Sequence, residues 1–490
     1  MRIQKKVTGL LALLIFFFSF VGSLVPSANA AEAKKTYTIG TDTTFAPFEF
    51  QDVNGDFVGI DIDLIQAIAE DQGFKVKIQS LGFNAAVQAL QSGNVDGVIA
   101  GMSITDERKQ TFDFSDPYFE AGPIMGVAAN NDTIKSYEDL RGKRVAVKVG
   151  TEGATFAESI KDQYGFTLAT FDDSSQMVDE VKAGGSVACF EDYPVLAYGI
   201  QQGNGLKIVT DKEKGGSYGF AVNKGQNQEL LQMFNEGLAN LKSSGEYDKI
   251  VANYLGEGDA AEGGEIGAGT TPKMSPLDLV WTSMPAFLKG MGYTLYYTII
   301  SLFFAFILGL IFGSMKVSHN KFLRGVGTVF VDLFRGIPLL ILAFFVYFAI
   351  PQAFGFTMEV WAAAIIALSL NAGAYVTEII RGGIQSIDKG QMEAARSLGV
   401  PYRTAMRKII LPQAIKVMVP SFINQMVITL KDTSIMSVIG LVELTQSGKL
   451  VIARTYDTFT VYLTLAIMYL IVITILTKIA DRLERRVSRG

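Results

Sequence analysis

Apolar residues occur in short blocks over the first half of the chain and in long blocks over the second half. In the first half, which we take as residues 36–257, short apolar runs typical of buried strands lie at residues 37–40, 95–100 and 144–149. Between the first two runs, apolar residues recur largely every three to four positions over residues 60–69, which predicts a helix with one buried face. Repeated strand-helix-strand units predict an α/β region with a mostly parallel sheet. The region is about 220 residues long, which is enough for two α/β lobes.

The second half of the chain carries apolar stretches that are long enough to cross a bilayer. Five of them approach or exceed the roughly 20 residues that a spanning helix needs. They cover residues 293–315, 330–350, 360–380, 414–430 and 458–479. The pattern predicts an all-α transmembrane region of about five helices within residues 276–490. Glycines inside these stretches, such as Gly309, are expected at contacts between helices.

Lysine and arginine residues are concentrated in some of the loops between these stretches. They follow the first stretch, the third stretch and the last one, and none lies between the second and the third. Because basic loops remain on the cytoplasmic side, this distribution predicts a cytoplasmic C-terminus. An exported N-terminal region then requires an odd number of spans, which five satisfies.

Residues 1–30 have the pattern of a secretory signal peptide. Arg2, Lys5 and Lys6 precede an apolar run at residues 10–20, and small residues stand at the end of the segment. The apolar run is shorter than the roughly 20 residues that cross a bilayer, and an uncleaved anchor helix is the alternative. In both interpretations the α/β region that follows is exported across the membrane, so we expect this region to be extracellular.

A segment without apolar periodicity separates the two halves. Residues 258–273 consist mainly of glycine, alanine, threonine and acidic residues. This composition predicts a flexible linker with an average span of roughly 20–25 Å, enough to hold an exported domain near the membrane. The predicted organisation is therefore an extracellular domain at 36–257, a linker, and a transmembrane domain at 276–490.

Composition excludes several classes of function. The net charge of −5 over 490 residues, without a long basic run, argues against binding to nucleic acid. The single cysteine, Cys189, cannot form an intrachain disulfide and is expected to be buried; with the single histidine, His319, it offers no cluster for zinc or haem. We therefore predict no metal, no cofactor and no catalytic residues. No GxxxxGK[ST] phosphate loop occurs, so ATP hydrolysis is expected in a separate subunit.

Three segments of the exported region carry recognisable motifs. They are GTDTTFAPFEF at residues 40–50, GIDIDLIQAIAE at 59–70 and IAGMSITDERKQTFDFSDPY at 99–118. They resemble the corresponding segments of bacterial polar amino-acid binding proteins, most closely glutamine-binding proteins, and the resemblance extends over residues 36–256. It implies two α/β lobes of the periplasmic-binding-protein type, joined by hinge strands that let them close on the ligand. The first lobe would comprise about 36–124 and 219–257, with the second inserted between them.

The resemblance assigns two charged residues to the ligand. A zwitterionic amino acid needs a cation for its carboxylate and an anion for its ammonium group, because a buried unpaired charge is costly. Arg108 and Asp192 match the positions with these two roles in the family. Arg108 can form a two-pronged pair with a carboxylate. From the sequence alone, Arg108 is equally consistent with a surface charge that caps a helix, and Asp192 with a turn residue.

Further matches imply the rest of the ligand site. Asp42, Phe45 and Phe83 match the side-chain pocket of glutamine binders, where aromatic faces cover the methylenes and a carboxylate accepts from the amide. The remaining matches are loop positions of the two lobes: Gly101, Ser103, Lys148, Gly150 and Thr151. Glutamine is the expected ligand. Glutamate, asparagine and basic amino acids stay open, because Glu191 stands where a glutamine-binding protein has histidine.

The most basic loop of the second half contains the segment EAARSLGVPYRTAMRKIILPQA at residues 393–414. It resembles the EAA motif of ATP-binding-cassette importer permeases. The pattern predicts a short helix, a turn at residues 399–401 and a second short helix that ends at Pro412, which together form an elbow at 388–412. The resemblance implies that this elbow docks on an ATPase through coupling residues that include Glu393, Ala394, Ala395, Gly399 and Pro412.

The segments FRGIPLL at 334–340, YVTEIIRGGIQSIDKGQ at 375–391 and KDTSIMSVIG at 431–440 also resemble polar amino-acid permeases. The resemblance implies a fused receptor and permease in the plasma membrane, surrounded by lipid, that imports a polar amino acid as a homodimer with a cytoplasmic ATPase. A clamshell ligand-gated channel is an alternative, but such channels interrupt the clamshell with pore helices, and this chain lacks a TVGYG-type filter. A lyase on the same fold would need an acid-base pair in the cleft, and nothing in the sequence marks one.

Overall fold

The computed structural model describes residues 35–42, 44–52, 55–256 and 274–489. The predicted signal peptide at 1–30 and the predicted linker at 258–273 lie outside the described residues.

The strands of the first half form two five-stranded sheets and two short pairs. They are β1 Thr36–Thr41, β2 Phe50–Gln51, β3 Phe57–Val58, β4 Lys75–Ser80, β5 Gly97–Val98, β6 Phe112–Phe114, β7 Phe119–Glu120, β8 Pro123–Ala128, β9 Arg144–Lys148, β10 Thr167–Phe171, β11 Ala188–Asp192, β12 Leu206–Ile208, β13 Ser217–Tyr218 and β14 Ala221–Asn223. The first sheet has the order β4-β1-β5-β14-β6, and the second has the order β10-β9-β11-β8-β12. We call the parts built on these sheets the first and the second lobe. Strands β7 and β13 pair with each other where the chain crosses between the lobes, and they form the hinge.

Helices cover the faces of these sheets. They are α1 Ile60–Gln72, α2 Phe83–Gln91, α3 Glu152–Tyr164, α4 Ser174–Lys182, α5 Tyr193–Gln201, α6 Gln228–Ser244 and α7 Glu246–Leu255. In α1, every apolar residue of the predicted face is buried, including Ile60, Leu64 and Ile68. The sequence-based prediction of a two-lobed α/β region is therefore confirmed.

The prediction of a mostly parallel sheet is wrong for half of the strand pairings in the two five-stranded sheets. In the first lobe β1 pairs in parallel with β4 and β5, but β14 runs antiparallel to β5 and β6. The second lobe repeats this division, with β8 antiparallel to β11 and β12. The reason is that β8 and β14 each follow a hinge strand directly, whereas a parallel strand would need a long crossover connection.

The second half of the chain is all-α within residues 274–489. Its helices are α8 Pro276–Lys316, α9 Lys321–Gly336, α10 Leu339–Phe344, α11 Ile350–Phe354, α12 Val360–Gln385, α13 Lys389–Ser397, α14 Tyr402–Ala405, α15 Leu411–Asp432, α16 Leu444–Thr455 and α17 Thr458–Arg489. Three of the described helices are long and apolar enough to cross a membrane, and up to five spans result if each of two bent pairs counts as one. This agrees with the predicted five. The Cβ that Gly309 lacks would lie 2.2 Å from Val376 of α12, so this glycine allows α8 and α12 to pack closely.

The second predicted span is broken instead of being one straight helix. Helix α9 ends at Gly336, and the following helical segment, Leu339–Phe354, continues at an angle of 102°. Pro338 explains the break, because it has no N–H to donate and it forces the preceding Ile337 into an extended conformation.

The predicted elbow is present, but its second helix does not end at Pro412. Helix α13 is followed by a turn in which Gly399 has φ +79°, as the turn prediction requires. The chain then stays helical through α14, a π-helical turn at Met406–Ile410 and α15, so that Pro412 lies in the first turn of a long helix. Pro412 cannot donate a hydrogen bond in this stretch, and it directly follows the π-helical turn, where the spacing of the helical hydrogen bonds changes.

Candidate functional site

The predicted ligand residues lie at the facing edges of the two lobes. Asp42 follows β1 and Gly101 follows β5, so both lie at the carboxyl edge of the first sheet. In the second lobe, Lys148 ends β9 and Asp192 ends β11. The carboxyl ends of parallel neighbouring strands meet at one edge of a sheet, which explains why residues distant in sequence converge on one cleft.

Little open space remains between the two lobes. A cavity of about 10 Å³ lies at their contact. Eight of the ten predicted ligand residues line it, together with Ala100 and Glu152: Phe45, Phe83, Gly101, Ser103, Arg108, Lys148, Thr151 and Asp192. The remaining two predicted ligand residues, Asp42 and Gly150, do not line the cavity but contact residues that do. Asp42 accepts from Lys148, and the carbonyl oxygen of Gly150 accepts from Arg108. The lobes are thus closed on each other.

A buried ion pair joins the lobes at the side-chain pocket. The Nζ atom of Lys148 lies 2.5 Å from Oδ2 of Asp42, and the two side chains are only 1% and 2% exposed. The same Nζ lies 4.8 Å from the ring centroid of Phe45 and 6.0 Å from that of Phe83. Burial alone would lower the pKa of Lys148, but the carboxylates of Asp42 and Glu191 raise it above its ordinary value. The pocket therefore contains a charged ammonium and a carboxylate between two aromatic rings.

Arg108 spans the cleft near this pair. Its guanidinium donates to the carbonyl oxygen of Ser103 in the first lobe at 2.9 Å and to that of Gly150 in the second lobe at 2.5 Å. It also lies 5.3 Å from the ring centroid of Phe83. Burial lowers the pKa of Arg108, while the charges of Glu152 and Asp192 oppose this shift. Arg108 is thus placed in the cleft, away from the surface position that its sequence context alone allowed.

Two carboxylates form the acidic side of the cleft. The Oδ2 atom of Asp192 accepts from the hydroxyl of Tyr218, and its Oδ1 is buried without a hydrogen-bond partner among the described residues. Glu152 accepts from the N–H of Gly216 through Oε1 at 2.5 Å, and its Oε2 is likewise buried and unpartnered within the described part of the chain. Burial, and then the charge of Glu191, raise the pKa of Asp192 to about 7. Both free oxygens suit a cationic ligand group.

Sequence reasoning missed Glu152 and Tyr218. Glu152 directly follows the matched turn residue Thr151 and opens α3, so its neighbourhood was a usable signal. Tyr218 belongs to the hinge strand β13, and no motif marked it. Glu191, which was considered because it replaces a histidine, lies outside the cavity lining. Its carboxylate accepts from the hydroxyl of Ser174 at 2.7 Å and from the N–H of Asp192 at 3.1 Å.

The predicted coupling residues lie on the elbow in the second half of the chain. Glu393, Ala394, Gly399 and Pro412 are exposed, whereas Ala395 is buried against the elbow itself. Leu398, which precedes the turn glycine, is 83% exposed. A large apolar side chain held out at a turn between two helices is suited to insertion into a partner protein.

The two halves of the chain contact each other through both lobes. In the first lobe, the side-chain amide of Asn94 donates to the carbonyl oxygen of Tyr347 at 2.5 Å and accepts from the N–H of Met358 at 2.9 Å. In the second lobe, Asp179 accepts from the hydroxyl of Thr458 at the start of α17. The closed α/β domain is therefore seated on the helical domain.

Two protein families match this chain. Residues 37–257 match the bacterial extracellular solute-binding proteins of family 3, and residues 305–489 match the inner membrane component of binding-protein-dependent transport systems. Both matches agree with the resemblances identified in the sequence. The chain is a membrane protein, because its second half matches a permease family and contains helices long and apolar enough to cross a membrane.

Individual relatives are similar to one half of the chain each. The putative glutamine transport system permease protein GlnP of Rickettsia conorii is 38% identical over 198 residues, covering 40% of this chain and 91% of that protein. The arginine transport system permease protein ArtQ of Bacillus subtilis is 37% identical over 205 residues, covering 42% and 94%. The crystal structure of the second substrate binding domain of a putative amino acid ABC transporter from Streptococcus pneumoniae is 50% identical, covers 45% of this chain and 99% of its own, and has a TM-score of 0.36. The chain belongs to the amino-acid importers of the ATP-binding-cassette type, with a family 3 solute-binding domain fused to an inner-membrane permease domain.

Proposed function

We propose that this chain captures an amino acid with a carboxamide side chain, glutamine in preference to the others, and passes it through its own permease domain. The observation that carries this substrate is the buried ion pair of Lys148 and Asp42 between two aromatic rings. Relatives are named for glutamine and for arginine transport, so the distinction has to come from the chemistry of the site.

A neutral carboxamide is the side chain that best complements a lysine-aspartate pair. Its NH₂ group can donate to the Asp42 carboxylate while its carbonyl oxygen accepts from the Lys148 ammonium, so both ions keep a hydrogen-bonding partner. The flanking rings of Phe45 and Phe83 offer apolar faces to the methylene groups that precede the amide.

Charged side chains fit this pair less well. A guanidinium or ammonium ligand would enter a buried site that already contains the Lys148 cation, and a glutamate side chain would face the Asp42 carboxylate. Like charges at close range in a poorly solvated site cost several kcal/mol. This argument favours the amide over both basic and acidic amino acids.

The backbone groups of the ligand match the remaining charges of the cleft. The guanidinium of Arg108 faces the cavity and can bind an α-carboxylate with two parallel hydrogen bonds. The unpartnered oxygens of Asp192 and Glu152 can accept from an α-ammonium group. With these contacts, each charge of the zwitterion would have an opposite charge inside the closed domain.

In this proposal the binding domain lies outside the membrane, and the elbow and the C-terminus lie in the cytoplasm. A separate ATPase subunit docks on the elbow, with the exposed Leu398 as its apolar contact. Two copies of the chain form the permease, because ATP-binding-cassette importers of this kind resemble two-fold assemblies. The basic loops of the helical domain support this orientation.

The test is transport by the full chain. The protein is reconstituted into lipid vesicles with an ATP-binding-cassette ATPase subunit, and ATP-dependent uptake of radiolabelled L-glutamine is measured in competition with asparagine, glutamate and arginine. We expect glutamine to compete best and arginine to compete about 100-fold more weakly. Arginine that competes as well as glutamine would contradict the carboxamide proposal, and absence of ATP-dependent uptake of any amino acid would contradict import.

A further inference from the structure

A large cavity connects the edge of the ligand cleft to the permease domain. Its volume is about 570 Å³, which is within the usual range for small-molecule sites. The first lobe contributes Asp42 and Phe83, the second lobe contributes Asp172 and Asp173, and the permease domain contributes Phe344, Lys449 and several other side chains. We call this space the vestibule. It is built by all three parts of the molecule at once.

The vestibule adjoins the ligand site at Phe83. The ring of Phe83 lines the small cavity of the closed cleft and also the vestibule. Asp42, which forms the ion pair of the side-chain pocket, faces the vestibule as well. An amino acid that left the cleft past Phe83 would enter this space and meet the permease side chains that line it.

One cation from the permease domain faces the vestibule. Lys449 is half-buried on α16 and forms no ion pair within the residues that the structure describes. It lies near enough to Asp173 for its charge to lower the pKa of that residue, which burial raises. Gln446 lines the vestibule one turn earlier on the same helix and is buried. Helix α16 thus presents a cation and an amide to the space.

Acidic and apolar side chains also line the vestibule. Both oxygens of Asp173 already accept from Gln176, whereas Asp172 is exposed. Phe344 and Phe348 of the permease domain supply apolar surface. The lining thus offers a cation for a carboxylate and carboxylates for an ammonium group, the two charged groups of an amino-acid zwitterion.

We propose that the vestibule is a second amino-acid site, occupied in transit, in which Lys449 binds the α-carboxylate and Asp172 faces the α-ammonium group. This inference rests on the proposed import function. The site would receive the ligand when the cleft opens and would hold it at the entrance of the permease, so that it does not return to bulk solvent. Lys449 has no role in the affinity of the cleft itself, because it lies outside the closed cavity.

The test separates transfer from receptor binding and from docking. The full chain is reconstituted with the ATPase, and three quantities are measured: the Kd for glutamine, the glutamine-stimulated ATP hydrolysis and the uptake rate. We expect Lys449→Gln to keep the Kd within about twofold and to keep stimulated hydrolysis, while uptake falls about tenfold or more through the loss of a charge-assisted hydrogen bond. Lys449→Arg, which keeps the cation, should retain uptake.

Asn94→Ala provides the contrast for a docking contact. It removes the two hydrogen bonds that Asn94 makes to residues 347 and 358, so stimulated hydrolysis and uptake should fall together. Unchanged uptake by Lys449→Gln would overturn the proposed site. A parallel loss of stimulated hydrolysis in Lys449→Gln would overturn it too, because Lys449 would then serve docking. A wild-type chain that takes up no amino acid would instead overturn the import function on which the site depends.

Discussion

The carboxyl group of Asp192 makes amino-acid binding depend on pH. Burial and the nearby charge of Glu191 raise its pKa to about 7 in the empty cleft, so part of the population carries a proton there at neutral pH. A ligand ammonium group beside Asp192 favours the ionised carboxylate and lowers this pKa in the complex. Because the group binds fewer protons in the complex, affinity is fully developed above pH 7 and is lost as the pH falls below it.

We therefore expect the Kd for glutamine to rise below pH 7, by up to about tenfold per pH unit. Calorimetric titration between pH 5 and 8, in two buffers with different ionisation enthalpies, measures both the affinity and the proton released on binding. In Asp192→Asn the affinity should be low and the proton release absent. A Kd that is constant over this range would show that Asp192 is ionised in the empty site or does not face the ammonium group.

Lys148 controls which side chains the pocket accepts. Lys148→Met removes the cation and with it the buried ion pair to Asp42. Loss of one partner of a buried pair costs about 2–5 kcal/mol, so the affinity for glutamine should fall by at least about 30-fold. A basic ligand can replace the missing charge, so arginine should bind better to the variant than to the wild type.

The matched control for this variant is Lys161→Met. Lys161 pairs with Glu158 on the outer surface of α3. The variant Lys161→Met should therefore change the affinity for either amino acid by less than about twofold. Competition binding with both amino acids on all three proteins gives the comparison. If Lys148→Met keeps the wild-type ratio of glutamine to arginine affinity, the ion pair does not select the substrate.

At the scale of elements, the turn of the elbow depends on one backbone conformation. Gly399 has φ +79°, and a Cβ built there would meet nothing within 4 Å. A substitution is therefore strained by the backbone alone, by on the order of 1–3 kcal/mol for a residue that avoids the left-handed region. Gly399→Val should alter the turn that holds Leu398 out and should weaken coupling to the ATPase, while the Kd for glutamine stays unchanged.

Gly399→Asn is the matched control, because asparagine adopts the left-handed conformation more readily than β-branched residues do. We expect Gly399→Asn to retain most of the glutamine-stimulated ATP hydrolysis that Gly399→Val loses. Membrane abundance and thermal stability of both variants are measured in parallel. Full stimulated hydrolysis and uptake by Gly399→Val at normal abundance would exclude the elbow as the coupling element.

Elements were predictable from the sequence where one pattern determines them. The periodic apolar face of α1 and the long apolar stretches of the second half both follow directly from burial in a core or in lipid. The π-helical turn before Pro412 was not predictable, because the apolar pattern is nearly the same for hydrogen bonds to the fourth or the fifth residue. Strands β8 and β14 run antiparallel to their neighbours because each follows a crossing of the hinge. The position of that crossing cannot be predicted from a local sequence pattern.

The residues of the ligand site likewise include some that the sequence predicted and some that it did not. The sequence assigned to the ligand site Arg108, which lies in a recognisable motif, and Lys148, which lies at a matched loop position, and both line the cleft. Tyr218 was missed because its role depends on the hinge strand bringing its hydroxyl to Asp192, which lies 26 positions away. Contacts between lobes and permease domain, such as that of Asn94 with Tyr347, join positions 253 residues apart and leave no trace in local periodicity.

At the scale of the whole molecule, both lobes rest on the permease domain. The first lobe bonds to the segment around Tyr347 and, through the carbonyl oxygen of Asp52, to Arg454. The second lobe bonds to Thr458 and to the carbonyl oxygen of Tyr456. A relative rotation of the lobes about β7 and β13 would break one set of contacts while the other remained. The closed arrangement is therefore the one that satisfies both sets, which links ligand capture to seating on the permease.

The proposed orientation in the membrane predicts which surfaces a membrane-impermeant thiol reagent can reach. The chain has one cysteine, Cys189, and it is fully buried in the second lobe, so the wild-type protein should give little background. Leu398→Cys places a thiol on the exposed elbow, and Lys224→Cys places one on the surface of the first lobe. In intact cells without an outer membrane, or in right-side-out vesicles, we expect labelling of Lys224→Cys only. Opening the vesicles should add labelling of Leu398→Cys. Labelling of Leu398→Cys from outside would place the elbow on the same side as the binding domain, where a cytoplasmic ATPase has no access to it.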